Sequence, residues 1–248
     1  MQNRPDENWL KKYDEIKSAL KPKDRLDDYF TQSEIAGKKM YRLEMGTVNF
    51  PTGKIIACDP FFLYDCDQPY FTSVPIGTFP LTAAVAEVGE DHYRYAAIKV
   101  AFNDNKVAYF VEALCGNEDL ESFEEGFCFG FNVDAGLGTI IDVKTRGAFL
   151  DYIEKLERES GDPDWDIYFG FAKPEFEKNY KANPKYQIEG GDWFNFAIPN
   201  TDLNIPVFAS GWGDGRYSVY FGYDSDNNIC QVVIQFIGME LNFGGDNN

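Results

Sequence analysis

The chain of 248 residues contains a single histidine, His92, and few cations: 23 Lys and Arg against 41 Asp and Glu, for a net charge of −18. One imidazole excludes a two-histidine zinc site within the chain and leaves at most one such group for acid–base work. Nucleic acid is bound mainly through its phosphates by Lys and Arg, so the cation deficit argues against DNA and RNA, and against anionic membrane surfaces for the same reason. No apolar run approaches the roughly 20 residues of a membrane-spanning helix. The opening Met1–Glu7 lacks the apolar stretch of a signal peptide. Five cysteines (Cys58, Cys66, Cys115, Cys128 and Cys230) form an odd set without a Cys-x-x-Cys pair. Several sit in apolar runs, where thiols act as small hydrophobes, so a reduced, cytoplasmic protein is expected. Internal repeats, low-complexity blocks and a Gly-x-Ser-x-Gly elbow are also missing.

The chain is rich in apolar and aromatic residues, 44% and 17%, with 22 Phe and 15 Tyr. Large flat side chains favour strands. The expected fold is α+β: mainly antiparallel β, a sandwich or partly open barrel, with a central helical insertion and an N-terminal helix. Trp9, Tyr13, Ile16 and Leu20 predict an amphipathic helix over 6–20 whose face packs on the body of the protein. Residues 1–40 read as a helical appendage, 41–240 as one β-rich domain and 241–248 as a frayed tail. Pro51-Thr52-Gly53 predicts a hairpin joining strands at 41–50 and 55–58, and Asn103-Asp104-Asn105 a second hairpin. Alternating Phe127, Phe129, Phe131 and Val133 predict a strand. Helices are expected at 145–159 and from Pro174, and strands at 193–198, 205–209, 217–223 and 229–236.

Ser210-Gly211-Trp212-Gly213-Asp214-Gly215-Arg216-Tyr217 is the most distinctive run. Three glycines in five positions permit close backbone approach, and Trp212, Asp214, Arg216 and Tyr217 could hold a ligand; a tight turn before a strand explains the same residues. Asp59, Asp134 and Asp142 lie at apparent strand ends. With Asp214 they are candidate catalytic or metal-ligating carboxylates for a divalent cation, if they converge; each also suits an ordinary turn or cap. Gly136-Leu137-Gly138 lacks the strand–turn–helix context of a dinucleotide loop. Asp224, Asp226 and Asn228 have the spacing that opens an EF-hand loop but not its glycine or closing glutamate, so they read as a hairpin tip.

In Gly46–Gly53 with Cys58-Asp59-Pro60, Val74–Pro80, Val133-Asp134-Ala135-Gly136 and Ser210–Tyr217, the chain resembles the family catalogued as domain of unknown function 4241, over about 41–236. That resemblance implies one domain and draws attention to Asp59, Asp134 and Asp214 without giving them roles. The expected function is a non-catalytic binding protein, immunity-type or another antagonist, whose acidic surface engages a basic protein partner. The alternative is a metal-dependent, hydrolase-like enzyme in which the aspartates hold the cation, Arg216 grips a phosphate or carboxylate and Trp212 stacks on the substrate. Oligomeric state and strand order are left open.

Overall fold

In a computed structural model that describes residues 5–124 and 126–245, every strand pairing is antiparallel. The strands are β1 (Glu34–Ile35), β2 (Lys38–Phe50), β3 (Ile55–Cys58), β4 (Gly77–Gly89), β5 (His92–Ala101), β6 (Tyr109–Glu112), β7 (Phe131–Val133), β8 (Leu137–Asp142), β9 (Trp193–Ala197), β10 (Asn204–Ala209), β11 (Gly215–Tyr223) and β12 (Ile229–Gln235). Eight of them form a half-barrel sheet in the order β1-β2-β4-β5-β12-β11-β6, with β7 also on β11. The remaining four form a sheet in the order β3-β8-β10-β9.

The small sheet is apolar on both faces, which makes it the middle of three layers. In β3, Ile55 and Ala57 pack into the core shared with the half barrel, while Ile56 and Cys58 face the helical side. Phe208 and Val207 divide in the same way in β10. The helical side consists of α3 (Val143–Ser160) and α4 (Lys173–Ala182), the latter entered through a π-helical turn at Tyr168–Ala172. Asp142 caps α3 by accepting Lys144 N–H, and Gly161 closes it in the left-handed conformation. Phe149, Ile153, Phe171 and Phe176 fill this second core.

Near the N-terminus, α1 (Glu7–Ile16) packs on the body, as its stripe predicts: Trp9 and Tyr13 contact Phe71 edge-on, and the Trp9 indole N–H donates to Glu118 C=O. It is shorter than the predicted helix. The short α2 (Asp28–Thr31) follows, and α5 (Met239–Phe243) lies near the end of the chain with Met239 buried. Asp246–Asn248, in the stretch expected to fray, lie outside the described residues.

Two predicted hairpins are not formed. Pro51–Gly53 carries the chain from one sheet to the other, since β2 pairs β4 while β3 pairs β8. Asn103–Asn105 likewise connects strands that do not pair: β5 lies between β4 and β12, and β6 lies on β11. Turn composition fixes a reversal but not its partner strand. The predicted Phe127–Val133 strand is paired only from Phe131. Asp224 is buried at the β11–β12 turn, accepting the N–H groups of Asp226 and Asn228. Asn105 Nδ2 also donates to it, so this aspartate ties two loops together.

Candidate functional site

The four aspartates do not gather into a cation site. Asp59 is buried; its Oδ1 accepts Phe61 N–H at 3.0 Å, and its Oδ2 accepts the N–H groups of Asp134 and Ala135 at 3.0 and 2.7 Å. Asp142, fully buried, accepts from Lys144 N–H and from both the N–H and hydroxyl of Thr52. Asp134 and Asp214 project from exposed turns. Among the described residues no three His, Cys, Asp or Glu side chains form a group that could hold a metal ion. The Asp59 and Asp142 carboxylates are saturated by donors that a cation would have to displace.

The segments carrying these aspartates nevertheless meet, through backbone. Asp59 fixes the turn at 134–136, Gly136 C=O accepts Ser210 N–H at 3.0 Å, and Val133 pairs with Gly215. In the glycine-rich loop Gly211 has φ +70° and packs so closely that a Cβ there would lie 2.9 Å from that of Phe236. The Ser210 hydroxyl and Tyr217 phenol both donate to Gly213 C=O at 2.7 Å. Tyr217 is therefore a buried strut and not an open ligand group. Arg216 extends outward, donating from Nε to Asn132 Oδ1 and lying over the Phe127 ring. Of the predicted ligand residues only Trp212, half exposed, lines the hollow of about 200 Å³ beside this loop.

That hollow is lined by residues which carried no motif. Tyr93, Arg94 and Tyr95 come from β5 where it extends past the end of β12, and Asp192 precedes β9. Tyr95 is 2% exposed, and its hydroxyl has no hydrogen-bond partner. Burial pushes its phenol well up, and the nearby Asp192 charge adds to the shift. Asp192 accepts Ile188 N–H at Oδ2. Burial raises its carboxyl as well, with Ile188 N–H and Arg94 opposing.

Arg216 and Tyr217 instead line a second cleft, of about 540 Å³, with Glu112. Glu112 is buried beneath the loop that follows Gly126, accepting the N–H groups of Phe129 and Gly130 at 2.9 and 3.1 Å. Burial pushes its carboxyl up to about 7 despite these bonds. Near Asp59, the Cys58 thiol hydrogen-bonds Cys66 and holds it below the ordinary thiol range, while Cys58 itself is raised.

On the helical side, four rings are left open to solvent: Phe62 (43% exposed), Tyr64 (58%), Tyr168 (41%) and Phe169 (68%). Tyr168 contacts both Phe169 and Phe61, bridging the turn after β3 to the π-helical turn. Arg146 of α3 locks the Phe62–Tyr64 segment by donating from Nε and Nη2 to the carbonyls of Leu63 and Tyr64. The Tyr64 hydroxyl donates to Glu154 at 3.1 Å; desolvation first, then this bond and the charges of Glu154, Glu157 and Asp151, raise its phenol. The same turns carry exposed Asp65, Asp67, Asp162, Asp164 and Asp166.

A family model described as "Protein of unknown function (DUF4241)" matches residues 48–234. No curated protein and no solved structure matches the chain.

Proposed function

On the premise that the chain belongs to the DUF4241 family of proteins of unknown function, we propose that it is a non-catalytic binding protein, immunity-type or another antagonist, that occludes a basic protein partner. The observation that carries this reading is the acid-flanked aromatic face formed by Phe62, Tyr64, Tyr168 and Phe169. Exposed rings on well-fixed turns supply the apolar anchors on which binding energy concentrates. The surrounding carboxylates favour a cationic partner and accelerate its encounter. With a net charge of −18, self-association through this face is opposed by repulsion. Five cysteines without a disulfide suit the reducing cytoplasm, where we place the protein. No helix among the described residues is long and apolar enough to cross a membrane.

The test is co-expression of the chain with each protein encoded next to it, followed by titration of any purified pair with a basic partner at low and high salt. A complex that tightens as salt falls, and that Phe169→Ala or Tyr64→Ala weakens by about tenfold, the effect of losing about 1.4 kcal/mol, is expected. Trp212→Ala, on the hollow, should leave it unchanged. Absence of a complex at low salt, or indifference to both ring substitutions, overturns the proposal.

A further inference from the structure

The hollow beside the glycine-rich loop presents a charge pattern that the protein itself leaves incomplete. Arg94 donates from Nη1 to Tyr93 C=O at 3.3 Å and makes no ion pair among the described residues, so the Nε and Nη2 edge of its guanidinium is unengaged. Asp192 uses Oδ2 for Ile188 N–H, and no described donor reaches Oδ1. The buried Tyr95 hydroxyl has no partner. Trp212 adds an indole face at the rim.

The Tyr95 hydroxyl is closed off from solvent, so the polar groups open to a ligand are the Arg94 edge and Asp192 Oδ1. Arg94 and Asp192 are half-buried at the hollow and do not pair with each other, so the two opposite charges stand open to one small ligand. We propose that this hollow binds a small zwitterion with an ammonium and a carboxylate on one carbon, the pattern of a free α-amino acid. The ligand carboxylate takes the open edge of Arg94 as a two-pronged acceptor. Its ammonium donates to Asp192 Oδ1. The ligand side chain lies against Trp212, where a ring or a cationic group gains most. The volume of about 200 Å³ exceeds the roughly 150 Å³ of a cavity that holds benzene, so small and medium side chains fit. Glycine at 211 lets the loop that walls the hollow close on Phe236 and Ile237, where a Cβ would collide.

This site is separate from the aromatic face, so each proposal can fail without the other. The experiment is calorimetric titration of the full-length protein with the standard L-amino acids one at a time, each alongside its amide, which lacks the carboxylate, and its N-acetyl form, which lacks the ammonium. At least one amino acid is expected to bind, with both capped forms weakened by about tenfold or more, as for loss of one member of a buried charge pair. Asp192→Asn and Arg94→Gln should each weaken binding to the same degree, with circular dichroism unchanged. Should the variants misfold, the capped ligands make the same comparison on the unaltered protein. No binding by any amino acid, equal binding of either capped form, or full affinity in folded Asp192→Asn overturns the proposal.

Discussion

The Asp59 carboxylate accepts the Ala135 N–H at 2.7 Å across 76 positions of sequence. With Phe61 and Asp134 it satisfies three backbone donors from two segments that no ladder joins directly. This joint holds the 134–136 turn where Gly136 can receive Ser210 N–H, so the glycine-rich loop depends on it at one remove. Asp59→Ala should therefore cost about 2–4 kcal/mol, because it leaves several part-buried N–H groups without acceptors. Asp59→Asn, which keeps one carbonyl oxygen, should cost distinctly less. Urea denaturation with an unchanged slope measures both; a loss below about 0.5 kcal/mol for Asp59→Ala would refute the structural role.

Asp142 makes the parallel case at the small sheet, where it caps α3 and holds Thr52. Asp142→Ala should destabilise by about 1–3 kcal/mol, the cap plus the stranded Thr52 donors. The loss should appear as faster hydrogen exchange in the first turn of α3. Protection there equal to the unaltered protein would refute the cap.

Much of this architecture was legible as pattern. Period-two runs marked most strands, and the Phe149–Ile153 stripe with Gly161 marked α3. Pairing was not legible, because Pro51–Gly53 and Asn103–Asn105 signal a reversal without naming the strand it leads to. Among site residues, Trp212 stood out through its flanking glycines and does line the hollow. Tyr95, Arg94 and Asp192 carried no signal: an aromatic in an alternating strand reads as core, and the hollow exists only because β5 outruns β12. Asp59 and Asp142, also singled out in the sequence, act in the structure as turn and cap acceptors for backbone N–H groups.

Cys66 should be the most reactive of the thiols whose ionisation the fold shifts. Cys58 donates to it and Arg146 favours its thiolate, whereas burial pushes Cys115 up to about 12 and raises Cys230. The thiolate is the nucleophile, so iodoacetamide at neutral pH should label Cys66 before Cys58, Cys115 and Cys230. Peptide mass spectrometry over time gives the order. Earlier labelling of Cys58 would contradict the direction of the Cys58–Cys66 hydrogen bond.

The exposed rings should be dispensable for folding. Phe169 is 68% exposed and its N–H is held by Asp166, so Phe169→Ala removes surface but no buried donor. Its stability cost should stay within about 0.5 kcal/mol. By contrast Phe171→Ala, two positions on and buried against Phe149 and Phe194, should cost about 3–5 kcal/mol. Thermal melts of the two variants side by side test whether this face was left open or belongs to the core.

Glu112 supplies the pH dependence. Its carboxyl is raised from the ordinary value of 4.5 to about 7 by burial, so between those values the folded state holds a proton that the unfolded state has released. Stability from this group is therefore full below about pH 4.5, declines as pH rises, and levels off above about 7. The total loss should be on the order of 2–3 kcal/mol. Glu112→Gln keeps an acceptor for the Phe129 and Gly130 N–H groups while removing the charge. The variant should therefore match the parent near pH 5 and exceed its stability at pH 8. Urea midpoints at the two pH values decide the matter: equal pH slopes for both proteins would place the Glu112 carboxyl at its ordinary value.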